Sequence, residues 1–179
     1  MSWTSRWNAN FTKPLVRQIV AIIQRDQRAA LDWVGGANVL PSIVEFDLAL
    51  VAIRQFPALL VTPLADDFAL ESSDTRQQSV RLAVSIAATD QRPGAVVELV
   101  EDYVRALDAV LLTVPLTDFA AALSLTLPHL GTINTTPLAA GVVKDLVVEA
   151  HAYDEARALR GNIFAMTATL GVRVEMEEI

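Results

Sequence analysis

Phe164-Ala165-Met166-Thr167-Ala168-Thr169-Leu170-Gly171-Val172-Arg173-Val174-Glu175-Met176-Glu177 sets Phe164, Met166, Ala168, Leu170, Val172, Val174 and Met176 against small or polar residues at every other position. Successive side chains of a strand point to opposite faces, so this stretch predicts a strand with one face buried and the other wet. Just upstream, Lys144 to Tyr153 places Leu146, Val148, Ala150 and Ala152 on one face and Val147, Glu149, His151 and Tyr153 on the other. Only the charged turn Asp154 to Leu159 separates the two runs, which predicts an antiparallel pair.

The same period recurs from Gln78 to Thr89, where Val80, Leu82, Val84 and Ile86 alternate with Arg81, Ala83, Ser85 and Ala87. Ala58-Leu59-Leu60-Val61-Thr62, bracketed by Pro57 and Pro63, reads as a further short strand. Two segments have helical spacing instead. Leu15, Ile19, Ile22, Ile23, Ala30, Trp33 and Val34 fall on one side of a helix with Thr12 as N-cap, Pro14 in the first turn and Gly35-Gly36 as the stop. After the turn Asp90-Gln91-Arg92-Pro93-Gly94, a second helix turns Val96, Val97, Leu99, Val100, Tyr103, Val104, Leu107, Val110 and Leu111 inward, with Glu98, Glu101, Asp102, Arg105 and Asp108 mostly outside. The expectation is an α/β (α+β) fold, a mainly antiparallel or mixed sheet of about four strands with helices packed on one face.

Between these elements the reading is coarser. Residues 37–57 are ambiguous: Val39-Leu40-Pro41 reads as loop, and Phe46 to Ile53 as a short helix or a strand, the helix being preferred; Ala65 to Thr75 reads as an exposed polar loop. Residues 109–143 contain one charged side chain, Asp118, with a short helix over Thr117 to Leu125 and then an extended connection broken by prolines and glycines. Such a low-charge excursion either folds over its own core or is buried against another subunit. Residues 1–11 form an aromatic N-terminal arm ahead of a single domain at 12–179; Trp3, Trp7 and Phe11 recur every four residues and either pack on the chain's own core or anchor it to a neighbour.

The 179 residues carry 14 Lys+Arg against 21 Asp+Glu, a net charge of −7, and 53% are hydrophobic, enough to build a core in one domain. The absence of cysteine excludes disulfides, thiolate metal sites and cysteine nucleophiles. An acidic chain with only two lysines and no basic cluster disfavours a surface built on nucleic-acid phosphates. No secretory signal and no run of about 18 apolar residues is present, so the protein is read as soluble, with no membrane partner.

The seven glycines form no phosphate-binding loop or dinucleotide turn, and there is no nucleophile elbow. His129 reads as a loop histidine. The best metal candidate is Glu149 with His151 on one strand face, followed by Asp154 and Glu155, but no third donor stands at a diagnostic spacing. Asp66, Asp67, Glu71 and Asp74 lack the glycine-centred pattern of a calcium loop. The expectation is therefore no enzyme, no cofactor, no catalytic residue and no metal site.

The N-terminal helix, the entry Phe56-Pro57-Ala58-Leu59-Leu60-Val61, the long alternating strand, the helix containing Glu101-Asp102-Tyr103-Val104-Arg105-Ala106-Leu107 and the terminal strand pair follow an order that resembles the tail-terminator (tail-completion) proteins of long-tailed bacteriophages. The resemblance runs from Thr12 to Ile179. It implies a structural virion protein, assembled in the host cytoplasm, that forms a homo-oligomeric ring, a hexamer, at the head-proximal end of the tail tube. The ring would join the major tail tube protein to the head connector and neck proteins, with DNA passing through and not specifically bound. Interaction candidates are Trp3, Trp7, Phe11, Phe119, Leu123, Leu125 and Leu127; Asp66, Asp67, Glu71 and Asp74 are candidates for an acidic channel wall that repels phosphates. The alternatives are another neck or head-to-tail connector component, or a small metal-dependent or ligand-binding domain using Glu149, His151 and Asp154.

Overall fold

The computed structural model describes residues 11–47, 53–70, 76–120, 123–125, 128–129, 132–133 and 139–178. Their elements are α1 (Thr12–Gly35), β1 (Glu45–Asp47), β2 (Ala58–Leu70), β3 (Arg76–Asp90), α2 (Pro93–Thr113), a 3-10 turn (Leu116–Phe119), β4 (Ser124–Leu125), β5 (Pro128–His129), β6 (Thr132–Ile133), β7 (Ala139–Tyr153), β8 (Arg157–Arg160) and β9 (Ile163–Glu178).

Alternation in β3 and β9 dictates the centre of the sheet. The two strands pair antiparallel without a break from Arg76↔Glu178 to Asp90↔Phe164, so Val80, Leu82, Val84 and Ile86 share a face with Val174, Val172, Leu170 and Ala168. All eight are at most 1% exposed. Both helices cover this face: α1 contributes Leu15, Ile19, Ile22 and Ile23, and α2 contributes Val96, Val100, Tyr103 and Leu107. Each large apolar side chain so buried is worth about 1.5–3 kcal/mol relative to exposure.

The full order is β1-β2-β3-β9-β7-β4, with β8 paired to the start of β9 and β5-β6 forming a separate ribbon. β1 runs parallel to β2 and the other pairs are antiparallel, so the sheet is mixed and the fold α+β. The four long strands are those expected. Three short ones, β1, β4 and β8, raise the sheet to seven; at two to four residues each they are too brief for a period to register.

Several expectations need correction. Phe11, not Thr12, occupies the N-cap position of α1, and the Thr12 hydroxyl donates to Asp66 Oδ2 at 2.6 Å instead of capping. Trp33 is 68% exposed, because Leu31 and Leu40 fill the core beneath the last turn; Leu40 Cγ stands 3.1 Å from where a Gly35 Cβ would be. Glu45–Asp47 is a strand, so at Phe46 the strand alternative holds over the preferred short helix, and residues 48–52 lie outside the described residues. Ala65 to Leu70, expected as loop, is strand: β2 continues to Leu70 as a ribbon with β3, across an irregularity between Pro63 and Ala65, and residues 71–75 lie outside the described residues. In place of a helix over Thr117 to Leu125 there is one 3-10 turn followed by β4. Arg157–Arg160, expected as turn, is β8.

β7 carries a further correction. Its register with β9 shifts between Val143 and Asp145 and again between Val148 and Ala150, leaving Lys144 and Glu149 as bulge residues. One extra residue reverses the alternation that follows. Leu146 and Val148 face the helices as expected, but beyond Glu149 it is His151 and Tyr153 that do so, while Ala150 and Ala152 turn away.

Candidate functional site

The helix-free face of the sheet presents Arg81, Ala83 and Ser85 from β3 beside Thr169, Gly171, Arg173 and Glu175 from β9. Ser85 Oγ and Thr169 Oγ1 stand 2.8 Å apart at its centre. Toward one end, Arg173 donates to Glu149 and Glu175 at 2.6 Å each, and Ser79 Oγ donates to Glu175 at 2.9 Å. These carboxylates keep the Arg173 guanidinium charged by raising its pKa. Lys144 pairs with Glu177 at 2.5 Å.

The Glu149 bulge separates the two proposed metal donors. Glu149 reaches Arg173 on the open face, whereas His151 Nε2 lies 3.1 Å from Asp108 Oδ1 of α2 on the helix face. The strand-face argument that joined them fails at the inserted residue. Among the described residues no group of three His, Asp or Glu side chains converges as a metal site, and no helix is long and apolar enough to cross a membrane.

The interaction candidates divide. Phe11, Phe119 and Leu123 are at most 1% exposed and belong to the chain's own core. Phe11 and Leu123 close on Gly141, whose N–H donates to the Leu123 carbonyl at 2.8 Å. Leu125 pairs with Ala139 at the sheet edge. Trp3, Trp7 and Leu127 lie outside the described residues, as do the acidic candidates Glu71 and Asp74. Asp66 and Asp67 sit on opposite faces of β2: Asp66 accepts from Thr12, and exposed Asp67 lies 3.3 Å from Arg81.

A groove of about 890 Å³ opens between α1 and the edge of β2. Its walls are the α1 flank from Thr12 to Val20 and the β2 segment from Pro63 to Asp66, with Phe46 at one end. Lys13 and Arg17, one helical turn apart, are exposed along it. Leu64 is 64% exposed. On the far side of the helical layer, α2 presents Glu98, Glu101, Asp102 and Asp108 against the single cation Arg105. Burial and the nearby Glu101 and Asp108 raise the pKa of Tyr153 above its ordinary value. No local pattern announces the groove: Thr12 and Asp66, which meet at its floor, are 54 positions apart.

No protein-family model matches the chain, and no curated protein matches it. Among solved structures, "Virion of native gene transfer agent (GTA) particle" includes a chain similar to this one at 14% identity and a TM-score of 0.44, the match covering 91% of this chain and 94% of that one.

Proposed function

We propose that this chain is a structural virion protein that works by assembly, and more finely a tail terminator: a homo-oligomeric ring, a hexamer, that closes the head-proximal end of a tail tube and joins it to the head connector. The observation that carries this reading is the one-sided architecture. Both helices pack on one sheet face; on the other, no described helix covers Arg81, Ala83, Ser85, Thr169, Gly171 and Arg173, which are half-buried or exposed, while Ala58, Leu60 and Ala87 at one end of that face are buried. Large apolar side chains are exposed on the flanks of the molecule, among them Leu64 on β2, Leu112 on α2 and Tyr153 on β7. Surfaces of this kind suit subunit contact.

The element order that resembles tail terminators supports the finer reading. In such a ring Asp67 is the described residue best suited to an acidic channel wall, since Asp66 is engaged by Thr12. The test is to assemble tubes from a major tail tube protein with and without this chain and image them by electron microscopy. Tubes of uniform length bearing a ring at one end are expected. Tubes that grow without limit and never co-sediment with this protein would refute the terminator role.

A further inference from the structure

Two flanks of the molecule differ in charge and lie at opposite lateral ends. α1 packs over β2, and α2 packs over β3, β9 and β7, so the α1 groove and the outer flank of α2 are separated by the width of the sheet. On the α1 side, Lys13 and Arg17 line an apolar groove and make no ion pair with another described residue. On the α2 side, Glu101, Asp108 and Leu112 recur at helical spacing along the flank next to β7, with Tyr153 beside them. Leu112 is 62% and Tyr153 47% exposed.

From this juxtaposition we propose that the α1 groove receives the α2–β7 flank of a second copy, with Leu112 and Tyr153 entering the groove and Glu101 and Asp108 meeting Lys13 and Arg17. The contact is heterologous, one patch against a different patch, so repetition gives a closed ring or an open filament and never a simple two-fold dimer. The inference rests on the ring reading above and adds which surfaces meet.

Charge complementarity selects this occupant, and the strand edges argue against the obvious competitor, a sheet continued from copy to copy. Along the groove the β2 edge is interrupted by Pro63 and the Leu64 irregularity, and β7 carries bulges at Lys144 and Glu149. Prolines and bulges at an edge are the devices that prevent strand addition. Side chains on the helix flanks are left to make the joint. Asp66 on the groove floor keeps its negative charge while accepting from Thr12 at the start of α1, so the exposed Lys13 and Arg17, and not the floor, meet the incoming carboxylates.

Sedimentation velocity at low salt tests the contact with two variants, Lys13→Glu/Arg17→Glu and Glu101→Lys/Asp108→Lys, both checked for folding by circular dichroism. The wild type is expected to associate and each variant alone to remain monomeric. An equimolar mixture of the two should associate again, because each then offers the flank that the other's groove requires. Should either reversal fail to fold, Lys13→Gln/Arg17→Gln takes its place, with association about tenfold weaker expected. Variants that associate as tightly as the wild type would overturn the assigned surfaces and leave the ring reading intact. A wild type that stays monomeric at low salt also overturns this contact, and the tube-capping experiment then decides the ring reading separately.

Discussion

Tyr103 is a buried aromatic whose polar end has one place to go: its hydroxyl donates to the Pro41 carbonyl at 2.7 Å, tying α2 to the loop after α1. Tyr103→Phe keeps the ring and removes that donor, and should cost about 1 kcal/mol in urea unfolding. Burial also raises the Tyr103 pKa above its ordinary value of 10.0. The folded chain therefore holds this proton more tightly than the unfolded chain, so the associated stability is complete below the unfolded pKa and is lost as pH rises through the alkaline range. Tyr103→Phe should flatten that alkaline loss. The glycines give a sharper contrast. A Cβ at Gly141 would stand 3.2 Å from Leu123 Cβ and 3.4 Å from the Phe11 ring, so Gly141→Val is expected to destabilise by about 1–3 kcal/mol. Gly94, in the first turn of α2, has open space around it, and Gly94→Ala should stabilise by about 0.4–1 kcal/mol in the same measurement.

At the scale of elements, the Glu149 bulge decides which way the end of β7 faces. Deleting Glu149 should restore unbroken alternation, turn His151 and Tyr153 away from α2, and lower thermal stability by roughly 1–3 kcal/mol. His151→Ala, which removes only the partly exposed contact with Asp108, should cost less than about 1 kcal/mol. The long strands and both helices were legible because their periods persist: β3 keeps one face apolar from Val80 to Ala88 and β9 from Phe164 to Met176. β1, β4 and β8 were not, since a strand that ends after one or two repeats leaves no pattern. The bulge was hidden for a different reason. An inserted residue changes which alternate set is buried without changing composition, and Ala150 and Ala152 fit either face. The β2–β3 ribbon was misread because its far end carries Asp66 and Asp67 where a strand pattern would alternate; Asp66, on the helix side, is taken up by Thr12 of α1 in place of an apolar contact. The groove at α1 was beyond reach of sequence because its walls meet only through tertiary folding.

At the scale of the molecule, a chain of net charge −7 would repel its own copies if its charges were spread evenly. Gathering cations on α1 and anions on α2 offsets that repulsion locally. Self-association measured by sedimentation should therefore weaken steadily as salt rises from about 0.05 to about 0.5 M, over which the screening length shrinks several-fold to a few ångströms. Folding stability over the same range should move far less, because the centre of the sheet is held by apolar contacts. Placing both helices on one side also gives the molecule a front and a back. In the ring proposed above, copies joined flank to flank and each turned by the same rotation would all point one way along the axis, so its two rims would differ. That inequality would let the proposed ring be mounted in only one direction between unlike structures, since a subunit inserted upside down would expose the wrong rim to both neighbours.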